Sequence, residues 1–149
     1  MLKNVKKILV PVDFSDNSKK VFKEAVNVAG KFDAELVCLF VVQSFDDYSG
    51  FYVPHMPIVQ FQDEMQASAE KKMIEFLEDN LPTGQAGSSK VIVGDVGDEI
   101  VAFAAREKID MIVMGTHGYK GLERVLFGSV AEQVVKTAPC PVLTVNPCR

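Results

Sequence analysis

Two apolar runs in this chain show no polar alternation: Ile8-Leu9-Val10-Pro11-Val12 and Leu36-Val37-Cys38-Leu39-Phe40-Val41-Val42. A strand with one face in water alternates apolar and polar side chains. Continuous runs of strand length therefore belong to strands covered on both faces, which favours a parallel sheet. Between the two runs lies a segment of helical spacing, with Val21, Phe22, Ala25, Val26 and Ala29 on one face. Ser15 or Asp16 can cap its start, and Gly30 falls near its end.

The same alternation continues along the chain. Residues 43–57 read as a loop, and 59–80 as a long helix with Phe61, Met65, Ala69, Met73, Phe76 and Leu77 at helical spacing. Residues 82–89 read as a polar connector, 90–93 as a third strand and 94–97 as a tight turn. Asp98 and Glu99 then open a helix over 100–107, where acidic groups suit the N-terminal dipole. A fourth strand at 111–114, a helix at 128–136 and a fifth strand at 142–145 complete a βαβαβαβαβ order. The expectation is a single α/β domain over 1–149, an open parallel five-stranded sheet with helices on both faces.

Sheets of this kind bind ligands beyond the C-terminal strand ends, where the strand order reverses. With strand order 3-2-1-4-5 the reversal falls between the first and fourth strands, so the loops carrying Asp13 and Gly115 meet there. The second of those loops is the most suggestive stretch of the chain. Met114-Gly115-Thr116-His117-Gly118 follows a buried strand, and Gly128-Ser129 opens the next helix. Backbone N–H groups free at such a loop and helix start, with the helix dipole behind them, suit an anion such as a nucleotide phosphate. Glycine lets the backbone approach that anion closely. The plainer alternative is that the glycines are turn residues and Gly128-Ser129 an ordinary helix start. Neither a Gly-x4-Gly-Lys-[Ser/Thr] nor a Gly-x-Gly-x-x-Gly sequence is present.

A formal net charge of −4 argues against nonspecific nucleic-acid binding. No apolar run approaches a membrane span, and the first apolar stretch runs into Pro11 and Asp13 rather than a signal-peptide cleavage site. A cytoplasmic protein is expected. Cys38, Cys140 and Cys148 and the two histidines, His55 and His117, have no metal-ligand spacing, so neither zinc nor a structural disulfide is expected.

Gly115, Gly118, Gly128 and Ser129 fit Gly-x2-Gly-x9-Gly-[Ser/Thr], and the chain opens with Ile-Leu-Val-Pro-Val-Asp-Phe-Ser and closes with Cys-Pro-Val-Leu-Thr-Val. In that ordered combination it resembles the universal stress protein family, in its UspA-like, ATP-binding branch. The resemblance implies a Rossmann-like sheet of the adenine nucleotide alpha hydrolase type, with order 3-2-1-4-5. It also implies bound ATP, with magnesium, and a homodimer formed through Val142–Val145. Pro11, Val12 and Asp13 would lie along the adenosine, with Val41 or Val42 as an apolar wall and Met114 packed nearby. Gly115 and Gly118 would let the loop turn close to ribose and phosphate. Gly128 and Ser129 would present backbone N–H groups and a hydroxyl to the phosphates, Val130 and His117 would belong to the same nucleotide site, and Lys120 and Arg124 would screen phosphate charge. For Asp13 a helix-capping role stays open, for Met114 a core role, and for His117, Lys120 and Arg124 a solvated one.

Three functions follow. The leading one is a regulatory nucleotide-binding protein without catalytic residues. A slow ATP hydrolase is the rival, although Asp13 is the one well-placed carboxylate. A dimeric module that binds no nucleotide is the third. Pro11-Val12-Asp13-Phe14-Ser15 departs from the Ser-Gly-Gly-x-Asp-Ser of ATP pyrophosphatases, which counts against a nucleotidyl transferase.

Overall fold

The computed structural model describes residues 4–44, 58–117 and 128–148. Within them the order is β1 (Lys7–Pro11), α1 (Asp16–Phe32), β2 (Glu35–Gln43), α2 (Ile58–Asn80), β3 (Gly87–Gly94), α3 (Val96–Arg106), β4 (Met111–Gly115), α4 (Ser129–Thr137) and β5 (Val142–Val145). The strands form one sheet in the order β3-β2-β1-β4-β5, and every pairing is parallel. β1 sits at the centre, with Ile8 opposite Leu36 on one side and Met111 on the other. The order is the expected one, and it places the reversal between β1 and β4.

Successive side chains of a strand point to opposite faces, so two apolar layers must cover the central strands. Ile8, Val10, Cys38 and Val113 pack with Val21, Phe22 and Ala25 of α1 and Met73 and Phe76 of α2. Leu9, Leu39, Ile112 and Met114 pack on the other side with Ile100, Phe103 and Ala104 of α3 and Ala131 and Val134 of α4. Two helices on each face account for the unbroken apolar runs. The Cys38 thiol lies within the first layer, where burial pushes its pKa up to about 12.

Three boundaries differ from the sequence expectation. β3 begins at Gly87, so the stretch 87–89 is strand rather than connector, paired with Leu36, Val37 and Cys38. It is an edge strand whose first four residues are exposed, and polar Ser88, Ser89 and Lys90 hide its periodicity. α3 begins at Val96 rather than Ile100, because Asp95 is its N-cap and accepts the N–H of Asp98 at 3.2 Å. Residues 94–97 are thus a strand end and a helix start, not a tight turn. In α1, Gly30 lies inside the last turn, and Asp33 takes the left-handed conformation that ends the helix, at φ 53.

Candidate functional site

A cavity of about 360 Å³ opens at the C-terminal ends of β1 and β4, within the size range of small-molecule sites. Pro11, Val12 and Asp13 border it from β1 and the turn beyond, and Met114, Gly115, Thr116 and His117 from β4 and its loop. Three helix starts complete the wall: Ser18 and Val21 of α1, Val96 and Ile100 of α3, and Gly128 to Ala131 at the head of α4. Most of these side chains are apolar. Asp13 is the one formally charged residue among the described lining residues.

Asp13 is held by the turn into α1. Its Oδ1 accepts the N–H of Ser15 at 3.0 Å, the hydroxyl of Ser18 at 2.7 Å and the hydroxyl of Ser15. Its own N–H donates to Ser18 Oγ at 2.8 Å, and Ser15 Oγ caps the helix by accepting the N–H of Ser18. The carboxylate therefore organises the helix start and borders the cavity at once. Phe14 follows at φ 65, a conformation that costs a side-chain-bearing residue on the order of 1–3 kcal/mol. Its ring stacks on Phe40 with centroids 4.6 Å apart and meets Phe76 edge-on, and that packing holds the turn.

The head of α4 is built differently. α1 and α3 are capped by side chains, whereas the N-cap of α4 is Gly128, which offers none. The Gly128 N–H is already committed, donating to the carbonyl of Thr116 at 2.8 Å. This corrects the expectation that Gly128 presents a free N–H. The helix begins with the Glu132 N–H donating to Gly128 at 3.0 Å, and it offers no acceptor to the N–H groups of Ser129, Val130 and Ala131. Those three donors and the positive end of the helix dipole stand at the cavity wall.

The two described glycines of the motif are glycine for different reasons. A Cβ on Gly115 would come within 3.1 Å of Val21 Cγ2 and 3.2 Å of the His117 carbonyl, so the neighbours would have to give by a few tenths of an ångström to admit it. Among the described residues a Cβ on Gly128 would meet only the Thr116 carbonyl, at 3.6 Å, and Gly128 sits at φ −64. Neither the packing of the described residues nor the backbone geometry requires glycine there, and Gly128 lines the cavity.

Of the sequence candidates, Pro11, Val12, Asp13, Met114, Gly115, His117, Gly128, Ser129 and Val130 meet around this cavity. Val41 and Val42 do not line it. Both are core residues, and Val41 packs in the cluster that holds Ile100 and Met114. Gly118, Lys120 and Arg124 lie outside the described residues. His117, for which a solvated position stood open, is 9% exposed and pairs through Nδ1 with Thr116 Oγ1 at 2.8 Å. Sequence reasoning missed Ser18, Val21, Val96, Ile100, Thr116 and Ala131. The serine spacing 15 to 18 was a legible sign for Ser18, whereas Val96 and Ile100 reach the site only through the sheet order.

Among the described residues no group of three His, Cys, Asp or Glu side chains stands ready to hold a metal ion. No helix among them is long and apolar enough to cross a membrane.

Comparison with known proteins follows the same lines. Residues 4–146 match the Universal stress protein family. A universal stress protein of Methanocaldococcus jannaschii is 42% identical over 148 residues, covering 95% of this chain and 82% of that one. The solved universal stress protein UspA from Lactobacillus plantarum superposes with a TM-score of 0.81 at 30% identity, covering 96% of this chain and 99% of that one. A family member from Arabidopsis thaliana, solved with AMP bound, shares the fold with a TM-score of 0.61 at 24% identity, over 95% of this chain and 91% of that one.

Proposed function

The chain belongs to the universal stress protein family, and on that premise we propose that it is a regulatory protein that binds an adenine nucleotide, ATP foremost, in the cavity between β1 and β4. The observation that carries this reading is the head of α4: three N–H groups without helical acceptors, a helix dipole, and a glycine that the packing of the described residues does not require. The apolar part of the wall, with Pro11, Val12, Met114 and Ile100, suits the base and ribose. AMP is the ligand of the Arabidopsis protein that shares this fold.

Magnesium would enter on the phosphate oxygens, since it is commonly held by one or two carboxylates together with substrate phosphates. Asp13 is the residue that would touch it. The same scarcity of carboxylates favours binding over turnover, because Asp13 Oδ1 is already occupied by Ser15 and Ser18. A cytoplasmic, single-domain protein goes with this role.

The reading includes a homodimer through Val142–Val145. β5 ends the sheet and pairs only with β4 among the described strands, and Leu143 is 41% exposed. An edge of β-forming residues without charge is a ready partner for its own copy in a two-fold arrangement.

The test of the nucleotide reading is mass analysis of small molecules released when the purified protein is denatured, with and without prior ATP. Adenine nucleotide near one per chain supports it. None in either sample counts against it and favours the module that binds no nucleotide.

A further inference from the structure

Gly97 stands buried in the first turn of α3, with the side chain of Gln133 from α4 against it. A Cβ there would fall 2.1 Å from Gln133 Oε1 and 2.6 Å from its Cδ, so the carboxamide takes the space a side chain would need. From that place Gln133 Nε2 donates to Oδ1 of Asp98, the next residue of α3, at 2.5 Å. One side chain thus reaches from α4 to α3, and both of its contacts fall in the turn that carries Val96. Neither Gln133 nor Asp98 borders the cavity, whereas Val96 and Ile100 of α3 and the head of α4 do. The Gln133 contact therefore lies behind the wall that the two helices share.

The two helices bring different chemistry to that wall. α4 brings N–H groups without helical acceptors, which suit phosphate. Among the described lining residues α3 brings only the apolar Val96 and Ile100, which suit base and ribose. Ile100 is fixed by the core, but Val96 is half-buried in a first turn, and helix ends are where local opening costs least. The Asp95 cap ties that turn to its own helix, not to a neighbour. We infer that Gln133 is a positioning residue: with Gly97 and Asp98 it holds the first turn of α3 against α4 and so sets Val96 against the nucleoside part of the bound nucleotide. The inference rests on the nucleotide reading and divides its site in two, a nucleoside wall set from α3 and a phosphate site set from α4.

The experiment is calorimetric titration of AMP and adenosine into the wild type, Gln133→Glu, the double variant Gln133→Glu with Asp98→Asn, and Gly97→Ala, with melting temperatures measured alongside. Gln133→Glu sets a carboxylate against Asp98 and is expected to weaken both ligands by the same factor, about fivefold, the size of one hydrogen bond's net contribution. Adding Asp98→Asn exchanges donor and acceptor and is expected to return both affinities to within about twofold of the wild type. Gly97→Ala displaces the carboxamide and is expected to weaken both ligands equally without a fall in melting temperature, since alanine is the better helix former. Unchanged affinities in Gln133→Glu and Gly97→Ala overturn the inference. So do weakening of AMP alone, a double variant that does not recover, and a wild type that binds AMP but not adenosine. In each of those cases wild-type AMP binding leaves the nucleotide reading standing. A wild type that binds neither ligand overturns both.

Discussion

The carbonyl of Thr116 accepts the N–H of Gly128 at 2.8 Å, while the N–H of Thr116 donates to Val145 at 2.9 Å. Through these two bonds one residue joins the end of β4 to the head of α4 and to the end of β5. The cavity wall is thus tied to the sheet edge by backbone, which fixes where the α4 donors point whatever side chains surround them.

Gly128→Ala should fold normally, with stability within about 1 kcal/mol of the wild type, because its backbone angles suit alanine and the nearest atom is 3.6 Å away. Its affinity for ATP or AMP should nevertheless fall about tenfold or more as the methyl enters phosphate space. Gly115→Ala should behave in the opposite order. Its Cβ meets Val21 and a backbone carbonyl at 3.1 and 3.2 Å, so thermal unfolding should register a loss of about 1–3 kcal/mol.

Asp13→Ala should cost both fold and binding. Removing Oδ1 leaves Ser15 and Ser18 without their shared acceptor, a loss of about 1–3 kcal/mol in denaturant unfolding. Asp13→Asn keeps an acceptor oxygen and should recover most of that stability. Any weakening or altered magnesium dependence of ATP binding that persists in Asp13→Asn reports the carboxylate charge. Full recovery of binding would leave Asp13 a helix-capping residue alone.

The dimer edge can be tested at one backbone position. The carbonyls of Pro141 and Val145 accept N–H groups from β4 and its loop, so in a parallel ladder the N–H groups of Val142 and Thr144 face outward. Thr144→Pro removes one outward donor without touching the β4 pairing. Sedimentation should show a dimer for the wild type at micromolar concentration and a shift toward monomer for the variant. A monomeric wild type would exclude this assembly.

Cys38 gives a pH signature. Its folded pKa, raised by burial to about 12 from 9.0, means that the unfolded chain loses the thiol proton first. The stabilising contribution is fully present below about pH 9 and is lost as pH rises toward 12. Between pH 8 and 10 this contribution should fall by about 1.4 kcal/mol, the limiting slope being about 1.36 kcal/mol per pH unit. Cys38→Ala, although less stable overall, should lack that part of the decline.

Much of this molecule was legible in its residues, because the fold depends on patterns that survive in one dimension. Ile8 to Val12 and Leu36 to Val42 announced buried strands, and Gly115 with Gly128-Ser129 marked the helix head at the site. What stayed hidden depended on neighbours distant in sequence. β3 opens with Ser88, Ser89 and Lys90 because an edge strand need not be apolar, and only pairing with β2 identifies it. His117 reads as a surface histidine, yet it is buried and its Nδ1 lies 2.8 Å from Thr116 Oγ1. Val41 and Val42 end the right strand, yet their side chains enter the core rather than the cavity.

The most direct test of nucleotide binding at the head of α4 is calorimetric titration of wild type and Gly128→Val with ATP and AMP. The account predicts saturable binding near one nucleotide per chain in the wild type, weakened about tenfold or more in the variant at matched thermal stability. Equal affinity in both proteins, or no saturable heat from either nucleotide up to millimolar concentration, would contradict it.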